Sequence, residues 1–377
     1  MIIDERNDSA ARRTFSATAR LLSALKLDGA LLVGLGILAL YALIVQYSAS
    51  GQSLPTVLRT VGRFGLGAVI MIALAQTGPN FLRGIAPWLY GIGILLLLVV
   101  DAIGYVGKGA QRWLDLGLFR FQPSEVMKLA VPMLAASFLH ERRLPPDWRS
   151  LAVVAGMILL PTALVVKEPD LGTALLILAT GTLVVLMAGL QWRYIAGLAG
   201  AGVGAAVLGW HFLHDYQRQR IRVFLDPQAD ALGSGYHIIQ SQIAIGSGGL
   251  FGKGWMNGSQ AQLDFLPERS TDFIFAVIGE EFGLLGLVVL LLIYLYIVTR
   301  SVYLASQASG TFARLLALSL ALTFFVYVFI NAGMVSGLLP VVGVPLPIVS
   351  YGGTSVVTLL AGFGILMGLY SHRKLVS

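Results

Sequence analysis

Cysteine is absent from this sequence of 377 residues, and charged residues make up only 12% of it. The absence of cysteine excludes a disulfide framework, a thiolate nucleophile and a cysteine-bound metal. The five histidines do not fall at the spacing of a metal-binding motif such as HExxH. With so few charges and 56% hydrophobic residues, the chain cannot cover the surface of a soluble globule, and we predict an integral membrane protein.

The formal net charge is +7, but its distribution does not indicate a nucleic-acid-binding protein. Most basic residues flank apolar runs, which is the pattern of membrane topology and of contact with anionic lipids. The glycine-rich stretch GSGGLFGKGW departs from a phosphate-binding loop at two positions, Ser247 and Gly254. A nucleotide site is therefore not predicted.

Ten apolar runs are long enough to cross the hydrocarbon core of a membrane, which takes about 20 helical residues. The polar tail before them, residues 1–27, leads into a first span that is predicted to remain as an anchor. The sequence predicts an all-α polytopic protein with a single membrane domain, residues 28–371, and a short tail, 372–377. The ten predicted spans are 28–48, 57–76, 84–104, 123–139, 151–166, 171–190, 193–212, 272–299, 312–336 and 354–371.

An even number of spans places both termini on the same side of the membrane. More than half of the 26 basic residues lie in the tails and turns of that side, so the positive-inside rule predicts that both termini are cytoplasmic. The longest polar segment, residues 213–270 between the seventh and eighth spans, then lies outside. So do 105–122, 167–171 and the last outer loop, 337–353. Chemistry is expected on that outer face.

The first outer loop ends in a helix start that carries Glu125 and Lys128 three residues apart on one face. An acid in the first helical turn is favoured by the helix dipole, so Glu125 has a plain capping interpretation. Lys128 falls inside the apolar run, where a charge is costly and marks a partner or a function. We interpret the pair as functional, with a structural ion pair as the alternative. Trp113 in the same loop is either an ordinary interfacial tryptophan or a sugar-stacking side chain.

Two further outer segments contain candidate ligand groups. In VKEPDLGTA, Asp170 follows a tight turn at Pro169 and either caps the sixth span or belongs to a site. The last outer loop, which reads GLLPVVGVPLPIVSYGGTS with the start of the tenth helix, is nearly without charge. Its backbone must therefore be buried in protein or line a cavity. The N–H groups at residues 352–355 either hold an anion or form a plain capped turn.

Asp272 stands where the long outer segment meets the eighth span, directly behind Ser270 and Thr271. Helix capping explains such an acid, and so does a role in chemistry. No nucleotide pool exists outside the cytoplasm, so synthesis there needs a substrate that is already activated, and lipid pyrophosphates are the natural class. Because pyrophosphate leaves without a proton donor, one carboxylate base and cations for the developing charge suffice.

The helix that follows Asp272 carries small residues on the same face, which suits either helix packing or a lipid tail. Two further acids, Glu280 and Glu281, lie deeper along this helix and need partners. We expect those partners to be Lys128 or Arg63, and we interpret the two acids as structural. The small residues are Ala276, Gly279 and Gly283.

Six stretches together resemble the SEDS family over nearly the whole chain, from the first span to the tenth. Two of them, FLPERSTDF and GMVSGLLPVVGVPLP, look like the elongation branch, RodA, rather than the division branch, FtsW. Ser270 stands where the family often has histidine, and we expect no loss of function from it. In chain order the six stretches are RWLDLG, RFQPSE, EPDLGTA, GSGGLFGKGW, FLPERSTDFIFAVIGEEFG and GMVSGLLPVVGVPLPIVSYGGTS.

The resemblance implies a peptidoglycan glycosyltransferase that polymerises lipid II into β-1,4 glycan outside the bacterial cytoplasmic membrane. It implies release of undecaprenyl pyrophosphate and, at the position of the family's essential aspartate, Asp272 as the general base. Other residues in the family's motifs would line the substrate cavity. These candidate substrate-binding residues are Trp113, Arg120, Glu125, Lys128 and Asp170.

The resemblance also implies a partner, a class B penicillin-binding protein within the elongation machinery. A divalent cation, Mg²⁺ or Mn²⁺, is expected to bind mostly through substrate phosphate, because the sequence offers no ligand cluster. Two other functions stay open at this point, a lipid II flippase and a non-catalytic scaffold. Intramembrane charges and broken spans suit a transporter, whereas the lack of evident inverted repeats counts against one.

Overall fold

The computed structural model describes residues 20–107, 110–115, 117, 120–194, 196–197, 200, 204, 215–230, 233–263, 265–266 and 268–372. Helices dominate these residues, since a backbone in lipid satisfies its hydrogen bonds internally only as a helix or a closed barrel. In chain order the elements are α1 (Gly29–Ala49), α2 (Leu54–Ala75), α3 (Pro79–Ile103), β1 (Tyr105–Gly107), β2 (Ala110–Asp115), β3 (Arg120–Phe121), α4 (Pro123–His140), α5 (Trp148–Lys167), α6 (Leu171–Met187), α7 (Asp215–Leu225), a 3₁₀ turn (Pro227–Asp230), α8 (Ser234–Gly248), the one-turn α9 (Ser259–Gln262), α10 (Ile274–Ser306), α11 (Thr311–Val335) and α12 (Gly353–Ser371).

Seven of these helices are long and apolar enough to cross a membrane, namely α1, α2, α3, α5, α10, α11 and α12. Helix α6 is apolar but only 17 residues long, and α4 has 18 residues that include a charged pair. The predicted span 193–212 lies mostly outside the described residues. A multi-pass membrane protein is confirmed, while the count of ten spans and the side of the termini stay predictions.

Helix α11 lies at the centre of the helix packing, where it contacts α4, α6, α10 and α12. The outward faces of α1, α2 and α3 carry exposed leucine, isoleucine and valine side chains, as expected of surfaces that meet lipid. Between α3 and α4, strands β1, β2 and β3 form a small antiparallel sheet. This sheet follows the end of α3 and leads into the start of α4, and β2 contacts both helices.

Helix α10 is broken at Gly283, whose φ of 67° and ψ of −163° lie outside the helical region. A break inside a membrane helix leaves backbone groups that need partners. The stretch that follows α8, residues 248–258, supplies them, and we call it the glycine segment. The hydrogen bonds run from the N–H groups of Lys253, Gly254, Leu284 and Leu285 to the carbonyls of Glu280, Glu281, Gly249 and Leu250, at 2.9, 3.0, 2.9 and 3.1 Å.

Glycines allow the two backbones to approach this closely. A Cβ on Gly252 would lie 2.2 Å from the carbonyl oxygen of Glu281, and a Cβ on Gly248 would lie 2.0 Å from that of Gly279. The small residues beneath Asp272 therefore pack against α8 and the glycine segment. Of the two alternatives for that face, helix packing is confirmed. Residues 274–282 form a half-helix whose direction is set by this contact.

The partners predicted for Glu280 and Glu281 are wrong, since neither Lys128 nor Arg63 reaches them. Glu280 is fully buried, and Glu281 accepts a hydrogen bond from the hydroxyl of Ser48 on α1. Only the folded glycine segment brings a cation to Glu280, which is why spacing along the helix gave no indication of it. The donors to the Glu280 carboxylate include Lys253 Nζ at 2.7 Å, the Ser259 hydroxyl at 3.1 Å and the Gln260 N–H at 3.0 Å.

Gly252→Ala is expected to destabilise the protein by about 2–5 kcal/mol. Its φ of 79° costs a residue with a Cβ about 1–2 kcal/mol, and overpacking against Glu281 adds about 1–3 kcal/mol. Unfolding in detergent, followed by tryptophan fluorescence, measures the loss. The matched control is Gly246→Ala in α8, where a Cβ has no neighbour within 4 Å. It should be neutral or stabilising, since alanine favours a helix. Equal stability of the two variants would contradict the account of the break.

Candidate active site

The N-terminal end of α4 places Glu125 and Lys128 together. Gln122 is the N-cap and Pro123 is the first residue, so the fixed φ of proline defines where the helix starts. Lys128 Nζ lies 2.7 Å from Glu125 Oε1, and the two side chains are only 4% and 8% exposed. The predicted pair on one helix face is confirmed, and it is buried.

Lys128 has a second partner that the sequence did not indicate. Its Nζ donates a hydrogen bond to the hydroxyl of Tyr327 on α11 at 2.5 Å. The same lysine lines a cavity of about 30 Å³ between α4, α11 and α12, which is room for about one water. Glu125 Oε2 is buried and has no hydrogen-bond partner among the described residues. The pair therefore retains acceptor capacity beside a small cavity.

Asp170 is the N-cap of α6, which confirms the capping alternative. Its Oδ1 accepts from the N–H of Thr173 at 3.1 Å. Its Oδ2 accepts from the Thr173 hydroxyl at 3.0 Å and from the side-chain amide of Gln122 at 3.1 Å. Arg112 Nε on β2 lies 3.7 Å from the same oxygen. Asp170 thus joins the N-terminal ends of α4 and α6 to strand β2.

Asp272 is half-buried and lies just before α10. That helix begins at Ile274 with Phe273 as its N-cap, so the prediction that Asp272 caps it is wrong. The reason is a turn at Glu268, whose carbonyl accepts the N–H groups of Thr271 at 3.0 Å and Phe273 at 3.3 Å. The turn delays the helix by one residue and leaves Asp272 in the turn.

The last outer loop joins Asp272 to the start of α6. A Cβ on Gly343 would lie 3.5 Å from Asp272 Oδ2, and a Cβ on Gly172 would lie 2.6 Å from the carbonyl oxygen of Val342. Gly172 allows the loop to pass this closely, whereas a Cβ on Gly343 would make only an ordinary van der Waals contact. Asp272 and Asp170, which are far apart in the sequence, therefore lie on two sides of one short piece of loop.

Trp113 and Arg120 lie in the three-stranded sheet, on β2 and β3. Trp113 is half-buried and pairs with Tyr105 across β1 and β2. Arg120 is exposed, with its Nε 3.7 Å from Asp115 Oδ2 and its guanidinium 4.2 Å from the centre of the Tyr105 ring. Arg112 is the side chain that links this sheet to Asp170. The sequence analysis did not select it as a candidate.

Arg63 lies beside the start of α12. The sequence analysis did not select it as a site residue. The N-cap of α12 is Gly352, which has no side chain to cap the helix. Arg63 on α2 donates through Nη2 to the hydroxyl of Tyr351 at 3.1 Å, with its guanidinium 4.3 Å from the centre of that ring. The signal for Arg63 and Tyr327 was available, since polar side chains within apolar spans are functional candidates by default.

A metal centre is not built into the part of the chain that the structure describes. No three acidic or histidine side chains there are grouped so that they could hold an ion. A divalent cation bound through substrate phosphate stays a prediction.

The family described as cell cycle protein, which comprises FtsW, RodA and SpoVE, matches residues 23–375 of the chain. The chain belongs to this SEDS family. Among its SEDS relatives, peptidoglycan glycosyltransferase MrdB of Escherichia coli (strain K12) is 52% identical over 353 residues, covering 93% of this chain and 95% of the relative. A probable peptidoglycan glycosyltransferase FtsW of Geobacter metallireducens is 38% identical over 319 residues, 82% of this chain and 83% of the relative.

Solved SEDS structures have the same fold. A chain of a complex described as coordinating polymerization and crosslinking in a peptidoglycan synthase matches with a TM-score of 0.81 and 32% identity, covering 92% of this chain and 99% of that one. The rod shape determining protein RodA of Thermus thermophilus matches with a TM-score of 0.70 and 29% identity, covering 92% and 98%. The expected likeness to the elongation branch is confirmed.

Glu168, two residues before Asp170, is a buried acid with a raised pKa. Burial, together with the carboxylates of Asp170 and Asp101, raises the pKa of Glu168 from 4.5 to about 8. Between these pH values the folded protein holds a proton that the unfolded chain has released. Stability therefore falls as pH rises from about 4.5 to about 8.

Glu168→Gln is expected to remove this part of the pH dependence, because glutamine stays neutral throughout. Unfolding temperatures in detergent at pH 5 and pH 8.5 measure it, and the parent should lose more stability between them than the variant. Glu141→Gln, which removes an exposed acid after α4, is the control. If Glu168→Gln and the parent lose equal stability, the buried acid does not hold a proton.

Proposed function

We propose that this SEDS protein is a peptidoglycan glycosyltransferase that polymerises lipid II into β-1,4 glycan strands during cell elongation. In this proposal it acts at the outer face of the bacterial cytoplasmic membrane. The membrane domain, residues 28–371, contains ten spans and has both termini in the cytoplasm. The relatives named as peptidoglycan glycosyltransferases support the activity, and the basic tails and turns support the orientation.

One observation carries the proposal. The last outer loop brings the segment of Asp272 against the start of α6, where Asp170 connects to α4 and its buried ammonium. A carboxylate and a cation thus belong to one outer face. That is the minimum set for a transfer in which a base activates a hydroxyl and a cation meets the leaving pyrophosphate.

Asp272 acts in this mechanism as the general base. It takes the proton of the acceptor sugar hydroxyl, whose oxygen forms the new bond to the anomeric carbon of the donor. The bond from that carbon to the pyrophosphate oxygen breaks, and undecaprenyl pyrophosphate leaves with the electron pair. Because pyrophosphate is stable as an anion, a second carboxylate is not needed as an acid.

The substrate-binding roles divide by position. Lys128 faces the phosphates of the donor, and Glu125 keeps the ammonium in place. Asp170 holds the outer ends of α4 and α6 in register. Trp113 and Arg120, in the three-stranded sheet, contact the sugar or the lipid head group. A divalent cation, if used, binds through substrate phosphate.

The partner in this proposal is a class B penicillin-binding protein that crosslinks the new strands. The similarity to a chain from a complex that coordinates polymerization and crosslinking supports it.

Purified protein given labelled lipid II tests the function. The expected products are glycan polymer and undecaprenyl pyrophosphate, with one molecule of undecaprenyl pyrophosphate released for each glycosidic bond formed. Movement of lipid II across liposomes without polymer would favour the flippase instead. A protein that does neither, alone or with its partner, would be a scaffold.

A further inference from the structure

The main chain around Asp272 is held in place by hydrogen bonds that its carbonyl groups accept. Residues 270–272 are neither helix nor strand, so regular structure provides no partners for them. Each of the three successive carbonyls accepts a hydrogen bond from a distant part of the chain. The donors, in order, are the Tyr351 N–H at 2.8 Å, the Ser350 hydroxyl at 2.5 Å and Asn331 Nδ2 at 2.8 Å.

Asn331 on α11 has no exposed surface. Its Nδ2 donates to the carbonyl of Asp272 and also to that of Val344 in the last outer loop, at 2.7 Å. Its Oδ1 is buried and has no hydrogen-bond partner among the described residues. A buried unpaired acceptor costs about 1–3 kcal/mol. An apolar residue would avoid that cost, so the two donated bonds are what asparagine contributes here.

Ser350 holds the neighbouring carbonyl from the other side. Its hydroxyl donates to Thr271 and accepts the N–H of Leu346 at 2.8 Å. Between these residues Ile348 has a φ of 67°, a conformation that costs a β-branched residue about 1–3 kcal/mol. Such strain persists where the surroundings determine the backbone. The last outer loop is thus kept in a costly shape that presents Ser350 to the segment of Asp272.

The same helix holds the cation. Tyr327, which binds Lys128, lies one turn before Asn331, about 6 Å along the axis of α11. Side chains four apart share a helix face. One face of α11 therefore fixes both the ammonium of Lys128 and the main chain of Asp272, and sets the spacing between them.

We propose that Asn331 and Ser350 are positioning residues for the glycosyl transfer. They fix the main chain of Asp272, and so place its carboxylate against the acceptor hydroxyl, without touching the substrate themselves. This inference rests on the proposed function, since it matters only if Asp272 is the base. Misplacing a reacting group by about 1 Å costs up to about 100-fold in rate.

The test compares Asn331→Leu and Ser350→Ala with a control on the same helix. Ser319→Ala removes a buried hydrogen bond from α11 to the carbonyl of Thr180, 2.7 Å long, well away from Asp272. Polymerisation of lipid II is measured as kcat and KM, beside unfolding in detergent. Both test variants should lose about 10- to 100-fold in kcat with KM within about threefold of the parent, whereas Ser319→Ala should keep kcat.

The outcomes separate cleanly. If Asn331→Leu and Ser350→Ala match Ser319→Ala in kcat at similar stability, the positioning role is overturned. If Asn331→Leu does not fold, Ser350→Ala, which adds no volume, decides in the same way. Asp272→Asn is measured in parallel. A fully active Asp272→Asn overturns the base assignment itself, whereas an inactive one beside two active test variants overturns only this inference.

Discussion

Replacing Asp272 by asparagine is expected to lower polymerisation of lipid II at least about 100-fold, the smallest loss typical of removing a general base. An amide has the size of the carboxylate but cannot take the proton of the acceptor hydroxyl. The bonds that the Asp272 main chain makes to Asn331 and to its neighbours do not involve the side chain. The variant should therefore keep the main-chain hydrogen bonds that hold this segment.

The measurement follows glycan polymer from labelled lipid II, with the purified protein and its penicillin-binding partner. Asp226→Asn is the matched control, because Asp226 is an exposed acid on the same outer segment and its removal should leave the rate unaltered. If Asp272→Asn polymerises as fast as the parent, another group must take the proton, and the assignment of Asp272 as the general base is overturned.

Lys128→Met is expected to abolish polymerisation and also to destabilise the protein by about 3–5 kcal/mol, because it leaves the Glu125 carboxylate buried without its cation. The two effects must be separated. The double variant Glu125→Gln/Lys128→Met removes both charges from the site. Replacing a buried ion pair by hydrophobic residues of similar volume is often close to neutral in stability, so the double variant, which leaves no buried charge, should recover much of the stability that Lys128→Met loses.

Activity should not return with stability. If Lys128 stabilises the charge of the leaving pyrophosphate, the double variant stays at least about 100-fold slower than the parent. Glycan polymer and unfolding in detergent are measured on the same samples. A double variant that recovers both stability and polymerisation would make the pair purely structural.

An exposed ion pair gives the comparison. Lys167 and Asp101 are 2.5 Å apart and substantially exposed, and exposed pairs contribute about 0–1 kcal/mol. Lys167→Met should therefore change neither stability nor rate measurably. A loss of rate in this control would show that charge near the outer face matters in general, and not at Lys128 alone.

Much of the helix pattern could be predicted from composition. The predicted spans at 28–48, 151–166 and 354–371 correspond to helices α1, α5 and α12 within a few residues, because uninterrupted apolar runs have no other stable form in lipid. Span ends were less accurate. The break at Gly283 was missed, since the glycine that allows it also occurs in unbroken membrane helices.

At the candidate site, sequence reasoning succeeded for contacts within one helix turn. The pairing of Glu125 with Lys128, three residues on, and the capping of α6 by Asp170 depend only on local geometry. It failed for Asp272 as a cap, because the turn at Glu268 delays the helix. The partner of Glu280 was also wrong, since that partner comes from the glycine segment.

By itself the sequence determined the class of molecule, the family and the identity of the acid at residue 272. These follow from hydrophobic runs, basic flanks and motifs that are read along the chain. Only the tertiary structure decided what holds that acid. The donors from Asn331, Ser350 and Tyr351 come from residues 59 to 81 positions away along the chain. Hydrogen bonds of that range depend on how α10, α11 and the last outer loop pack, and no local periodicity encodes them.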